Sequence, residues 1–145
     1  MKKTILTLLF LCGVICAFAQ TDAKTVIMNY LRSEGYAPAI DEDGDIRFKI
    51  QGTAYYASFS NQGNYVSVYA PFETALPLAR LLEVANTINR EKYLSKCSAY
   101  ESEDGNVFEF SIEFAIDTPS NTRFLMAKML ALLPSCIETY KDRLK

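Results

Sequence analysis

From Asn106 to Ile116 the chain alternates without a break. Phe108, Phe110, Ile112, Phe114 and Ile116 share one parity, and Val107, Glu109, Ser111, Glu113 and Ala115 take the other. A repeat of two is the period of a β-strand, whose successive side chains leave by opposite faces. The strand so predicted has one buried face and one largely wet face. A row of aromatic and branched side chains this long requires a thick apolar layer opposite it. The helical segments before and after the strand are the parts able to supply that layer.

The whole chain has 145 residues, enough for one domain around one core. Half of it is apolar and 22% is charged, a globular balance. The formal net charge of -2, without a basic cluster, argues against a nucleic-acid footprint. The chain contains no histidine. That absence excludes Ser-His-Asp and Cys-His catalysis, and metal sites built on imidazole.

The amino-terminal segment reads as an export signal rather than as part of the fold. Lys2 and Lys3 form a positive start, Ile5 to Ile15 form an apolar run, and Ala17-Phe18-Ala19 supplies a small-x-small cleavage site. The run is shorter than the roughly 20 residues that a spanning helix needs. Cys16 lies close to the cleavage region, but Ile15 before it is too bulky for a lipid-attachment site. The expectation is a signal peptide over residues 1–19 and a mature domain over 20–145. Without Lys2 and Lys3 the mature chain keeps 13 basic residues against 17 acidic ones, a net charge of -4. Its expected location is the periplasm or the outside of a bacterial cell, with no membrane span after cleavage.

Thr21 or Asp22 is placed to cap a first helix, in which Ala23, Val26, Ile27, Tyr30 and Leu31 repeat at helical spacing. Gly35 ends it, and Tyr36 follows as the usual apolar contact. The acidic run Asp41-Glu42-Asp43-Gly44-Asp45 invites comparison with a calcium loop. Counted from Asp41, position 6 is Ile46 and position 12 is Gly52, where that loop wants glycine and glutamate. The run is therefore read as a solvated turn, with no metal site. Ile46, Phe48 and Ile50 alternate with Arg47, Lys49 and Gln51, and Gly52 turns the chain. Thr53 to Ser60 form a second strand, Asn61 to Asn64 a second turn, and Tyr65 to Ala70 a third strand.

A second helix is expected from about Thr74, with Pro77 in its first turn and Leu78, Leu81, Leu82, Ala85 and Ile88 on its apolar face. Lys96 to Glu101 form a fourth strand, and Asp104-Gly105 turns into the long strand. Thr118-Pro119 reads as cap and first position of a last helix reaching about Asp142. Met126, Leu130, Leu133, Ile137 and Tyr140 line one face of it, widened by Leu125, Met129, Leu132 and Cys136. Pro134 removes a donor inside this helix and is expected to bend it. No repeat or low-complexity linker interrupts the order. The fold class is α+β, in the order α-β-β-β-α-β-β-α, with an antiparallel sheet packed by helices.

Only Cys97 and Cys136 remain after signal removal, and the expectation is that they do not pair. Cys136 lies 18 residues beyond Thr118, about 27 Å along a helix. Cys97 is expected near the strand end from which that helix starts, and a disulfide needs Cα atoms within about 7 Å.

The Glu34-Gly35-Tyr36 helix end, Phe48-Lys49 followed by Gly52 and Tyr55, and Ala85-Asn86-Thr87-Ile88-Asn89 with Lys96 downstream resemble YbjN-type domains. These share the fold of type III secretion chaperones. The resemblance spans nearly all of the mature chain. It implies a small α+β domain, a homodimer that binds other polypeptides and catalyses nothing, and it brings no catalytic residues. The chain departs from the cytoplasmic chaperones in carrying an export signal.

The outward parity of the first three strands carries Arg47, Lys49, Tyr56, Tyr65 and Tyr69, the candidate binding residues. Tyrosine gives large contact area at low entropic cost, which suits a protein or peptide partner. The other explanation is that these rings brace the sheet or are covered by the same chain. Two alternatives to a binding module have weaker support. A carboxylate hydrolase would draw on Glu109 and Glu113, but four strand residues set them roughly 13 Å apart, beyond the ~6.5–9.5 Å of an inverting pair. A carrier of a small apolar ligand would need a cavity beside the last helix, where core packing explains the side chains better. No cofactor is expected.

Overall fold

A computed structural model of the protein describes residues 23–60 and 63–144. The expected signal peptide, the cap at Thr21 or Asp22, and Asn61 and Gln62 of the second turn lie outside the described residues. Helix α1 covers 23–33. It is followed by β1 (Ala39–Ile40), β2 (Ile46–Ile50), β3 (Thr53–Phe59), β4 (Tyr65–Thr74), α2 (Leu78–Glu91), β5 (Lys96–Ser102), β6 (Gly105–Ala115) and α3 (Pro119–Arg143). The six strands form one antiparallel sheet in the order β1-β2-β3-β4-β6-β5.

Local chemistry sets the boundaries. Gly35 adopts φ +85, and the Tyr36 amide donates to Leu31 O at 2.9 Å, closing α1. Gln51 and Gly52 both have positive φ, 49 and 86, the pair required by a two-residue hairpin between β2 and β3. Thr118 Oγ1 accepts from Asn121 N at 3.3 Å, with Pro119 opening α3.

The long alternating strand lies inside the sheet, between β4 and β5. Its ladder with β4 runs from Tyr65↔Ala115 to Thr74↔Asn106. Inner-face rows cross the sheet as Ile46–Ala57–Val68–Ile112 and Ala70–Phe110–Cys97, every member buried. Ile27 and Leu31 of α1, Leu81, Val84, Ala85 and Ile88 of α2, and Met126, Met129, Leu130, Leu133, Cys136, Ile137 and Tyr140 of α3 join those rows in one core. The Tyr140 ring lies 4.3 Å from Phe108 and 5.5 Å from Phe110, and Phe110 meets Phe72 edge-on. Burying each such side chain contributes about 1.5–3 kcal/mol.

The structure corrects several local readings. β1 is an additional short strand, pairing Ala39 with Arg47 and Ile40 with Ile46. β4 does not stop at Ala70 but continues through Pro71 to Thr74, so α2 starts later than Thr74. Beyond Tyr69 β4 pairs with β6 alone, and a proline is tolerated on a strand side left unpaired. Leu82 is 43% exposed, because the buried stripe of α2 passes through Leu81, Val84, Ala85 and Ile88 instead. The outer face of β6 is not uniformly wet. Ser111 is small and stands between Tyr69 and Lys96, whose larger side chains cover it. Val107 is shielded in the same way between Glu73 and Tyr100.

Candidate functional site

The helices pack on one face of the sheet, and the opposite face carries a row of Arg47, Tyr56, Tyr69, Ser111 and Lys96. Tyr56 and Tyr69 are direct cross-strand partners, and their rings stack at 5.3 Å with 21° between planes. Such a pair contributes about 0.5–1.5 kcal/mol beyond its burial. Tyr69 reaches diagonally past Tyr56 and its hydroxyl donates to Asp45 Oδ2 at 3.1 Å.

Asp45 is held by the acidic turn. Asp41 Oδ1 accepts from the Asp45 amide at 2.8 Å, and the Gly44 amide donates to Asp41 O at 3.1 Å. Lys24 of α1 donates to Gly44 O, fixing the turn from the other side. Burial pushes the Asp45 carboxyl above its ordinary value; the Tyr69 bond works against that rise, while Asp41 and Asp43 add to it. Burial, and then the Asp45 bond and charge, push the Tyr69 hydroxyl up as well. Beside this network lies an open, shallow depression of about 610 Å³ lined by Ile40, the Asp41–Asp43 turn, Arg47 and Tyr56.

The five candidate residues do not form one patch. Arg47, Tyr56 and Tyr69 are brought together. Lys49 sits one pleat repeat away, opposite Ala54, and borders a separate hollow of about 290 Å³ with Tyr36 and Phe48. Tyr65 is 52% exposed at the far end of β4, opposite Ala115. Asp45 was missed by the sequence reading, although it shares the outward parity of Arg47 and Lys49.

Other chemistries find little to work with. Glu113 is bound to Lys96 Nζ at 3.0 Å, and Glu109 accepts from Tyr100 Oη at 3.2 Å, so each carboxylate has its own partner. Among the described residues no group of three or more metal-ligating side chains occurs. The aromatic cluster of Phe72, Phe108, Phe110 and Tyr140 fills the space between β6 and α3 where an apolar ligand would sit.

Cys97 and Cys136 are both buried and unbonded, but the distance used to separate them does not hold. Cys97 pairs with Phe110, in mid-strand. The 8 residues from Phe110 to Thr118 cover about 27 Å, the length that α3 travels back to Cys136. The two paths cancel. Burial raises the Cys97 thiol to about 12, and the nearby Cys136 adds to the rise.

Three helices on one face of a six-stranded antiparallel sheet make an α+β fold that this chain shares with type III secretion chaperones. Residues 23–141 match the model of a family described as "Putative bacterial sensory transduction regulator". The chain belongs to that family, YbjN. Solved structures that share its fold include the following three. YbjN from E. coli superposes with a TM-score of 0.57 at 12% identity, covering 70% of this chain and 78% of that one. The Yersinia pestis type III secretion chaperone SycH, solved with a stable fragment of YscM2, gives 0.55 at 9%, covering 81% and 98%. The HopA1–SchA chaperone–effector complex gives 0.53 at 16%, covering 83% and 97%. No curated protein matches the sequence. Among the described residues no helix is long and apolar enough to cross a membrane.

Proposed function

We propose that this chain is an exported, non-catalytic module of the bacterial cell envelope that binds another polypeptide on its open sheet face. The observation that carries the reading is the stacked Tyr56–Tyr69 pair beside Arg47, on a surface that is shallow rather than pocketed. Flat aromatic area with one flanking guanidinium is the chemistry of a protein contact. The chaperone relatives, solved with a polypeptide fragment or an effector, support the same reading by their fold. Export rests on the residue pattern over 1–19. A homodimer rests on the resemblance, and on Leu82 of α2, which leaves apolar surface 43% exposed.

Capture from envelope extract tests the binding reading. The protein is expected to retain a defined polypeptide that the Arg47→Glu and Tyr56→Ala variants release; equal retention by all three would overturn the proposed surface. Intact mass from the exporting host is expected to begin at Gln20, and an acylated Cys16 would refute the signal assignment. Light scattering at micromolar concentration is expected to give twice the chain mass; a single-chain mass would remove the dimer.

A further inference from the structure

The solvent face of α3 and the loop after α2 form a second surface, unlike the tyrosine face. Phe124, Lys128 and Leu132 follow one another at four-residue spacing along α3, and Phe124 is 58% exposed. Lys128 Nζ lies over the Phe124 ring at 5.4 Å. One turn past Leu132, Ser135 Oγ accepts from Lys92 Nζ at 3.3 Å, which ties the loop to the same helix face. The next two residues, Tyr93 and Leu94, are 92% and 73% exposed. Leu94 holds φ 67, a left-handed conformation that is strained for a leucine. The loop thus keeps a strained backbone while presenting two large apolar side chains to water.

Charge separates this stripe from the rest of the molecule. From Pro119 to Ile137 α3 carries Arg123 and Lys128 and no carboxylate, although the whole chain is acidic. Lys92-Tyr93-Leu94-Ser95 adds a cation and no anion, and Glu91 just before it is bridged to Arg143. The surface is also a ridge: the outer side of a helix continued by a projecting loop tip. A ridge offers a peptide no groove to lie in, whereas a lipid headgroup layer accepts apolar tips between cations.

We propose that this ridge docks the protein on an anionic lipid surface. Tyr93 and Leu94 enter the headgroup layer, Phe124 and Leu132 lie along it, and Lys92 and Lys128 meet the phosphates. Each lysine is drawn to an anionic leaflet and keeps its aliphatic stem against apolar surface. This leaves the opposite side of the molecule, with Tyr56 and Tyr69, facing away from the bilayer.

Vesicle sedimentation with the full chain tests the proposal, using phosphatidylcholine vesicles with and without 30% phosphatidylglycerol. Residues 5–15 are apolar and common to every variant, so the readout is the excess partitioning onto anionic over neutral vesicles, compared between variants of the same full chain. Tyr93→Ser with Leu94→Ser, and separately Lys92→Gln with Lys128→Gln, are expected to lower partitioning onto anionic vesicles about tenfold. Lys92→Arg with Lys128→Arg is expected to retain it. All of these side chains except Lys92 are exposed, and circular dichroism checks that each variant is folded. Equal partitioning of all variants, or no dependence on phosphatidylglycerol, would overturn the proposal. So would retention of a protein partner on this ridge that vesicles fail to displace.

Discussion

The Tyr69 hydroxyl donates to Asp45 Oδ2 at 3.1 Å, spanning from β4 across β3 to the turn that opens β2. Burial of Tyr69, and then that bond, make stability depend on pH in a definite direction. Tyr69 in the folded chain holds its proton above the ordinary value of 10.0, so its contribution is complete below pH 10 and is lost as pH rises beyond it. Tyr55 and Tyr140 are raised too, by burial, and add to the same alkaline decline. Tyr69→Phe is expected to cost about 1 kcal/mol at neutral pH and to flatten part of that decline. Urea midpoints at pH 8 and pH 11 measure both effects.

Asn89 clamps the start of β5 with both ends of its carboxamide. Its Nδ2 donates to Cys97 O at 2.9 Å, and its Oδ1 accepts from Cys97 N at 2.7 Å. Asn89→Ala is expected to cost about 2 kcal/mol, since two backbone groups lose partners. Asn89→Asp keeps the acceptor but turns a carboxylate toward the Cys97 carbonyl, and is expected to recover less than half of that. Urea unfolding of both variants checks the order.

Phe110 meets Phe72, Phe108 and Tyr140 and is fully buried. Phe110→Ala is expected to destabilise by about 3–5 kcal/mol, the range for removing a buried aromatic ring. Thermal melting would show it, and a loss under 1 kcal/mol would mean the neighbouring rings collapse into the space.

The cysteines are expected to be unreactive in the folded state and free once unfolded. A thiol raised to about 12 holds little nucleophilic thiolate at pH 8. In the mature chain, residues 20–145, thiol reagent is expected to find no fast-reacting group in the native protein and two per chain after denaturation. A count of zero after denaturation would mean that the adjacent thiols bond.

Most of the fold could be read because its signals are local. Phe108 to Ile112 show their parity within five residues, and Gly35 and Thr118-Pro119 announce helix ends by their own chemistry. β1 was missed because Ala39 and Ile40 are both exposed and too few to show a period. Pro71 hid the end of β4, since its tolerance depends on β3 having already parted from that strand. The candidate site was legible only as parity. Parity places Arg47, Lys49, Tyr56, Tyr65 and Tyr69 on one face, but register decides that Tyr65 lies at its far end. The distance argument for Cys97 and Cys136 failed for the same reason: their separation depends on how far the chain runs past Phe110 before α3 turns back.

The pairing of β4 with β6 also governs how the chain must fold. β2–β3, β3–β4 and β5–β6 join neighbours in sequence, whereas Thr74↔Asn106, the nearest rung of the central ladder, encloses residues 75–105. Closing that loop costs entropy before any rung repays it, so the rate-limiting step is expected at this seam. A chain in which this ladder has not closed leaves open the edges later buried between β4 and β6. Unpaired edges of that length recruit other chains. A substitution that weakens the seam, such as one at Val68 or Ile112, is therefore expected to slow refolding and to reveal itself first as aggregation, before it is seen as lost stability.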